Sequence, residues 1–225
     1  MPSVGQRLPG AHCYGFFTGN VAWRFTIPTD ALPPGFVQPE ITNWLGPGGH
    51  IVHYYVRRGA LVNVVAIRET GQWTEESWTA RGTREELHAA YAGWNDAVHR
   101  LFEHARECYK WGLFDRDPLA RWTQGRVTLL GDAAHPMLPF LGQGAAMGIE
   151  DAMLLARAFD AAGSVDEALH RYVEARQSRT TWVMQQSRET ARTYHSGRSE
   201  NFQPGRHVSA ESLGIMTYNP AAVPV

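Results

Sequence analysis

A chain of 225 residues, 44% hydrophobic and 19% charged, has the composition of a globular protein with length for one large or two small domains. Its formal net charge of -1 offers no electrostatic case for nucleic acid or an anionic membrane, and no apolar run is long enough to span a bilayer. Cys13 and Cys108 form neither a disulfide framework nor a metal-ligand pattern, and no basic region followed by an apolar stretch opens the chain, so a cytoplasmic protein without a metal site is expected.

Residues 1–14 show no pattern of their own. Asn20 to Ile27 alternates as a strand does, and Pro28 ends it. After a proline-rich connection, Ile41 to Leu45 predicts a second strand, closed by Gly46-Pro47-Gly48-Gly49. His50 to Val56 and Ala60 to Ile67 predict a hairpin around Arg57-Arg58-Gly59, and together these segments predict an antiparallel sheet. In His50–Val56 the period of two puts His50, Val52, Tyr54 and Val56 on one face and Ile51, His53 and Tyr55 on the other. His50 and Tyr54 therefore point the same way and can bind a phenol and accept its proton. A sheet face of hydrogen-bonded aromatic residues accounts for the pattern without any site, and His53 with Tyr55 is the alternative pair.

Gly71 to Thr83, with Trp73 and Trp78, reads as irregular. Thr83 to Glu86 fits a capping box, and Leu87, Tyr91, Trp94, Val98, Leu101 and Phe102 follow as a helical core stripe. Arg116, in the run WGLFDRDP, is read as an ion-pair partner of Asp115 or Asp117.

The most informative stretch is Gly125 to Asp151, GRVTLLGDAAHPMLPFLGQGAAMGIED. Val127 to Leu130 is expected as a short buried strand, parallel in its pairing. A loop carrying Pro136, Pro139 and Gly142 then leads to a helix starting near Gly144, with Ala145, Ile149, Ala152, Ala156 and Phe159 as its apolar stripe. Gly131 lets a ligand approach the backbone, Asp132 can accept hydrogen bonds from sugar-type hydroxyls, and the free N–H groups around Gly142 to Ala145 favour an anion or an electron-rich carbonyl. His135 is expected as a packed, hydrogen-bonded part of the scaffold. A last helix, entered through Ser164 and Glu167, carries Leu169, Tyr172 and Val173 inward and runs to about His195. Its arginines, Arg171, Arg176, Arg179, Arg188 and Arg192, read as a solvated face with pairs such as Glu174–Arg171.

GDAAHP followed by P and GQGAAM-IEDA resembles the second flavin-binding motif of the single-component FAD-dependent aromatic hydroxylases, the salicylate and hydroxybenzoate hydroxylase group. HIVHY followed by R-G-LVN, and W-x-LFDR-P, are similar to the same family. The resemblance implies that Asp132 holds the flavin ribityl chain, with Gly131 beside it. It implies that the amides of Gly142, Gln143, Gly144 and Ala145 face the pyrimidine end of the ring. It sets Pro139, which offers a carbonyl but no side-chain donor, near the substrate ring and the reactive flavin carbon. His50 becomes the base that raises phenolate character, with Tyr54 beside it. The implied reaction uses FAD, NADH or NADPH as transient co-substrate, O2 and a small phenolic acid-type aromatic; a homodimer is left open.

The family's G-x-G-x-x-G fingerprint and its Asp-Gly motif are absent. The expected fold class is therefore mixed α+β and α/β: an antiparallel substrate-domain sheet plus the C-terminal half of a FAD-binding domain with long C-terminal helices, without the N-terminal dinucleotide-binding βαβ unit. The expected division is a substrate domain at 1–110, the flavin half and helices at 111–200, and a loosely ordered tail at 201–225. The alternative reading is a non-catalytic truncated protein, or a binding module unable to hold FAD alone.

Overall fold

The computed structural model describes residues 15–71, 79–195 and 210–225. Residues 1–14 and the irregular stretch expected around Trp73 and Trp78 lie outside them. The chain divides into two compact units, one of Phe17–Leu113 with Thr193–Phe202 and one containing Phe114–Arg192 and the C-terminal residues.

The first unit is built on a six-stranded sheet. Its strands are β1 (Phe16–Pro28), β2 (Thr42–Gly46), β3 (Gly49–Val56), β4 (Leu61–Glu69), β5 (Arg81–Gly82) and β6 (Cys108–Asp115), in the order β2-β3-β4-β1-β6-β5. β1–β4, β2–β3, β3–β4 and β5–β6 pair antiparallel, as the alternating apolar pattern and tight turns predict. The hairpin register sets His50 opposite Ile67 and Tyr54 opposite Asn63. Val21, Trp23, Phe25 and Ile27 of β1, Ile51 of β3 and Val62, Val64 and Ala66 of β4 share the buried face.

Two helices, α1 (Arg84–Ala90) and α2 (Asp96–Glu103), cover that face with Leu87, Tyr91, Val98, Leu101 and Phe102. Each such aromatic or aliphatic side chain contributes about 1.5–3 kcal/mol by leaving water. The capping box at α1 forms as expected: Thr83 Oγ1 accepts from the Glu86 N–H, and Glu86 Oε2 accepts from the Thr83 N–H. The single stripe read from Leu87 to Phe102 is split, because the Asn95 side chain accepts from the Ala97 N–H and starts a new helix.

In the second unit, helices α3 (Gly144–Ala161) and α4 (Val165–His195, within this unit to Arg192) pack around Leu119, Trp122, Leu129, Leu154, Ala158 and Tyr172. The buried parallel strand expected at Val127–Leu130 is corrected. Only β8 (Val127–Thr128) forms, antiparallel to β7 (Thr123–Gln124), and Val127 is 50% exposed. The tight turn at Gly125-Arg126 brings β7 and β8 together locally, and an apolar run by itself does not name its partner.

The helical stripe is corrected too. Met147, Asp151, Leu154 and Ala158 are the buried face of α3. Ala145, Ile149, Ala152, Ala156 and Phe159 are exposed, Ile149 at 71%. Residues 210–225 are packed rather than loose: Ile215 is buried with Met147 and Val183, and the Arg179 guanidinium lies 3.6 Å from the centre of the Tyr218 ring. Among the described residues no helix is long and apolar enough to cross a membrane, and no group of three or more His, Cys, Asp or Glu is placed to hold a metal ion.

Candidate functional site

The loop from Gly131 to Gln143 joins β8 to α3. Gly131 and Gly142 take left-handed backbone angles, φ +56° and +64°, which residues with a Cβ adopt at a cost of about 1–2 kcal/mol. A Cβ placed on either would meet nothing within 4 Å, so the backbone is open to approach there. Asp132 is exposed, and its Oδ1 lies 3.8 Å from where a Gly144 Cβ would stand. No side chain caps α3, so its first N–H groups have no capping acceptor. An acceptor carboxylate beside open helix-start donors fits a ligand with hydroxyls and an electron-rich ring edge.

Two details differ from the expected cradle. The Gly142 N–H already donates to the Pro139 carbonyl (3.0 Å), which leaves the donors from Gln143 onward. The Gln143 amide is buried and donates to the Leu141 carbonyl at 3.2 Å, so only its backbone serves the loop edge. Pro139 and Ala145 are exposed.

The loop is held from behind by buried side chains, of which only His135 was expected in the scaffold. Asp151 Oδ2 accepts from the Gly131 N–H (2.7 Å) and meets His135 Nε2 (2.6 Å), while its Oδ1 accepts from Arg176 Nε (2.6 Å). Arg176 also donates to Glu150 Oε2 (2.7 Å) and to the Met147 carbonyl (3.2 Å), and Arg179 holds both oxygens of Glu150. Asp151 and Arg176 are both 0% exposed. Burial pushes the Asp151 carboxyl toward neutrality, but the His135, Gly131 and Arg176 donors outweigh it and hold it below its ordinary range.

Ser187 donates to the Leu138 carbonyl (2.6 Å), and Arg116 to that of Ala133 (2.5 Å). Asp115 (2.5 Å) and Asp117 (3.3 Å), the partners expected for Arg116, pair with Arg188. The solvated-face reading of the α4 arginines is overturned for Arg176, and Arg171 pairs with Glu167, not Glu174. His135 is buried and bonded, as anticipated. A signal for Asp151 existed: Met147, Asp151, Leu154 and Ala158 recur at helical spacing, and a carboxylate on such a face needs a buried cation.

In the sheet unit, His50 and Tyr54 lie on the face away from α1 and α2. His53 and Tyr55 share the helix-covered face; the Tyr55 hydroxyl donates to the Val37 carbonyl (2.9 Å), and His53 stands against the Trp44 ring. His50 is 3% exposed, and burial, then the neighbouring His195, push its pKa from 6.5 down to about 3. Beside Tyr54, Asn63 is 6% exposed and its Nδ2 has no acceptor among the described residues. A buried orphan donor on the same face as a neutral imidazole and a phenol is what an oxygen-rich aromatic ligand would satisfy.

Burial lowers His53 and His195 as well as His50. Above about pH 6.5 these rings are neutral in the folded and unfolded chain alike. Below it the unfolded chain binds protons that the folded chain refuses, so stability falls as pH drops from about 6.5 toward 3. Urea unfolding at about pH 7.5 and about pH 5 is expected to show this loss, with a smaller loss in His50→Gln.

Residues 47–187 match the family model described as an FAD binding domain. The chain is 44% identical over 181 residues to a 3-amino-4-hydroxybenzoate 2-monooxygenase of Streptomyces platensis, covering 80% of this chain and 46% of the relative. It is 38% identical over 191 residues to a 6-hydroxynicotinate 3-monooxygenase of Bordetella bronchiseptica, covering 83% and 48%. A solved salicylate hydroxylase substrate complex superposes with a TM-score of 0.79 at 28% identity, covering 93% of this chain and 56% of that one. The chain thus spans about half the length of the curated relatives it matches.

Proposed function

The chain belongs to the FAD binding domain family, and from that premise we propose that it carries the substrate sheet and the second half of the flavin site of an NAD(P)H- and O2-dependent monooxygenase acting on a phenolic acid. The observation that carries this reading is the sheet face of His50, Tyr54 and Asn63, where the buried Asn63 Nδ2 has no acceptor among the described residues. The relatives support it: they are named as monooxygenases of hydroxylated aromatic and pyridine acids.

In this reading Asp132 accepts from the ribityl hydroxyls, and the α3 N-terminus from Gln143 to Ala145 faces the electron-rich edge of the ring. FAD, when bound, supplies the oxygen-transfer chemistry. His50 accepts the phenol proton, which loads electron density onto the ring carbon to be hydroxylated. Tyr54 and Asn63 orient the phenolic acid, and the apolar Val52 and Val65 beside them keep water from the ring.

A second reading, a module that binds FAD only with another polypeptide, is favoured by the exposed apolar surface of Val127, Leu130, Ile149, Met153 and Phe159. Flavin fluorescence quenching separates the two. Quenching on adding FAD, with substrate-dependent NAD(P)H oxidation and a hydroxylated ring product, supports the monooxygenase; absence of quenching supports the module. Asp132→Ala is expected to weaken FAD by about tenfold or more, since it removes a charged acceptor worth about 1.5–3 kcal/mol.

A further inference from the structure

Residues 210–225 lean on the loop that carries Asp132. Ile215 is 2% exposed and is the one buried residue of that segment. It packs with Met147 and Val183, and Met137, Leu141 and Ala146 stand against the same cluster. One side chain thus meets the loop and the first turn of α3 together. Next to it, the Met216 sulfur lies 3.9 Å from Gln143 Nε2.

The segment also covers the ion network behind the loop. Arg179 Nη2 donates to the Ile215 carbonyl (3.2 Å) while the same guanidinium holds Glu150. The Tyr218 ring centre lies 3.6 Å from the Arg179 guanidinium and 5.8 Å from that of Arg176. An aromatic face over a cation attracts it and keeps water from it, so the Arg179–Glu150 pair is stronger with the ring in place. Glu150 in turn holds Arg176, and Arg176 holds Asp151, the acceptor for Gly131. Contacts therefore run without a break from Tyr218 to the start of the loop and from Ile215 to its end.

We propose that Ile215 and Tyr218 are positioning residues for the flavin, a brace that fixes the Gly131–Ala145 loop through Met147, Arg179 and Glu150. The proposal rests on the flavin-site reading of that loop. The brace is lightly tied. Beyond Tyr218 it is held by the partly buried Val223 and Val225 and by two carbonyl bonds, from Arg157 to Pro220 (2.6 Å) and from Arg171 to Val225 (3.1 Å). A segment with one fully buried side chain opens at less cost than its unit unfolds. While it is open, the Arg179–Glu150 pair meets water and the α3 start lacks its Ile215 contact. By reciprocity, a cofactor that needs the loop ordered favours the closed brace.

Amide hydrogen exchange of the full chain, read by NMR, tests this in Tyr218→Leu and Tyr218→Phe. The first keeps apolar cover without the ring, and the second keeps the ring. The hydrogen-bonded amides of Gly131, Gly142 and Met147 are expected to exchange about tenfold faster in Tyr218→Leu and at the wild-type rate in Tyr218→Phe, with the sheet unit unmoved. An unchanged loop in Tyr218→Leu, or α3 and α4 loosened throughout along with it, overturns the brace. FAD added to the wild type is expected to slow these amides together with those of Gly214 and Ile215, which are bonded within the segment. Slowing of the loop without the segment, or equal FAD affinity in all three proteins, overturns the positioning role. FAD that slows neither, with the Tyr218→Leu difference intact, counts against the flavin-site reading and leaves the brace standing.

Discussion

Asp151→Ala is expected to destabilise the helical unit by about 3–5 kcal/mol, the cost of leaving a buried charge without its partner. Asp151 is the hub of three contacts: the Gly131 N–H, His135 and Arg176. Its removal leaves the fully buried Arg176 with Glu150, the Met147 carbonyl and Met147 sulfur as its remaining hydrogen-bond partners. Against a typical total of about 5–15 kcal/mol, that is a large fraction.

The midpoint of urea unfolding reads the effect; a wild-type midpoint in Asp151→Ala would refute the hub. The double variant Asp151→Ala/Arg176→Met separates stability from loop geometry. Apolar replacement of a buried ion pair is commonly neutral or better, so most of the stability should return. FAD affinity should stay weak, because Gly131 and His135 still lack their acceptor. The pH dependence has the matching sign. Asp151 contributes fully above its unfolded value of 3.8, and that contribution is lost as pH falls through its lower folded value.

The second large effect is expected at His50. If it accepts the phenol proton, His50→Ala should lower turnover of a phenolic acid by about 10²–10⁴-fold, the range typical of a general base, with a much smaller change in KM. Burial, then the neighbouring His195, depresses the proton affinity of the wild-type ring. Tyr54→Phe removes a hydroxyl but no proton acceptor, and a smaller loss is expected. Product analysis by chromatography, with oxygen consumption alongside, checks both. Undiminished ring hydroxylation in His50→Ala would remove His50 from the chemistry and move attention to Tyr54 and Asn63.

Local pattern determined much of this protein. Alternation in Asn20 to Ile27 and His50 to Val56 reports a sheet because side chains on successive residues must face opposite sides. The capping box at Thr83 and Glu86 reports a helix start because both partners lie within one turn. The open loop from Gly131 to Ala145 was legible because glycine at a left-handed angle and an uncapped helix start are properties of adjacent residues.

Only the tertiary structure decided what holds that loop and what stands beside His50. Asp151 and Arg176 are 25 positions apart, and His50 and His195 are 145 apart. Nothing local distinguishes Arg176 from the other arginines of its helix, or Ile149 from a core residue. The reason is physical: backbone preference acts over one turn or one strand, whereas the burial of a charge, the pairing of a short strand and the choice of a helix's inner face depend on which distant surface removes the water.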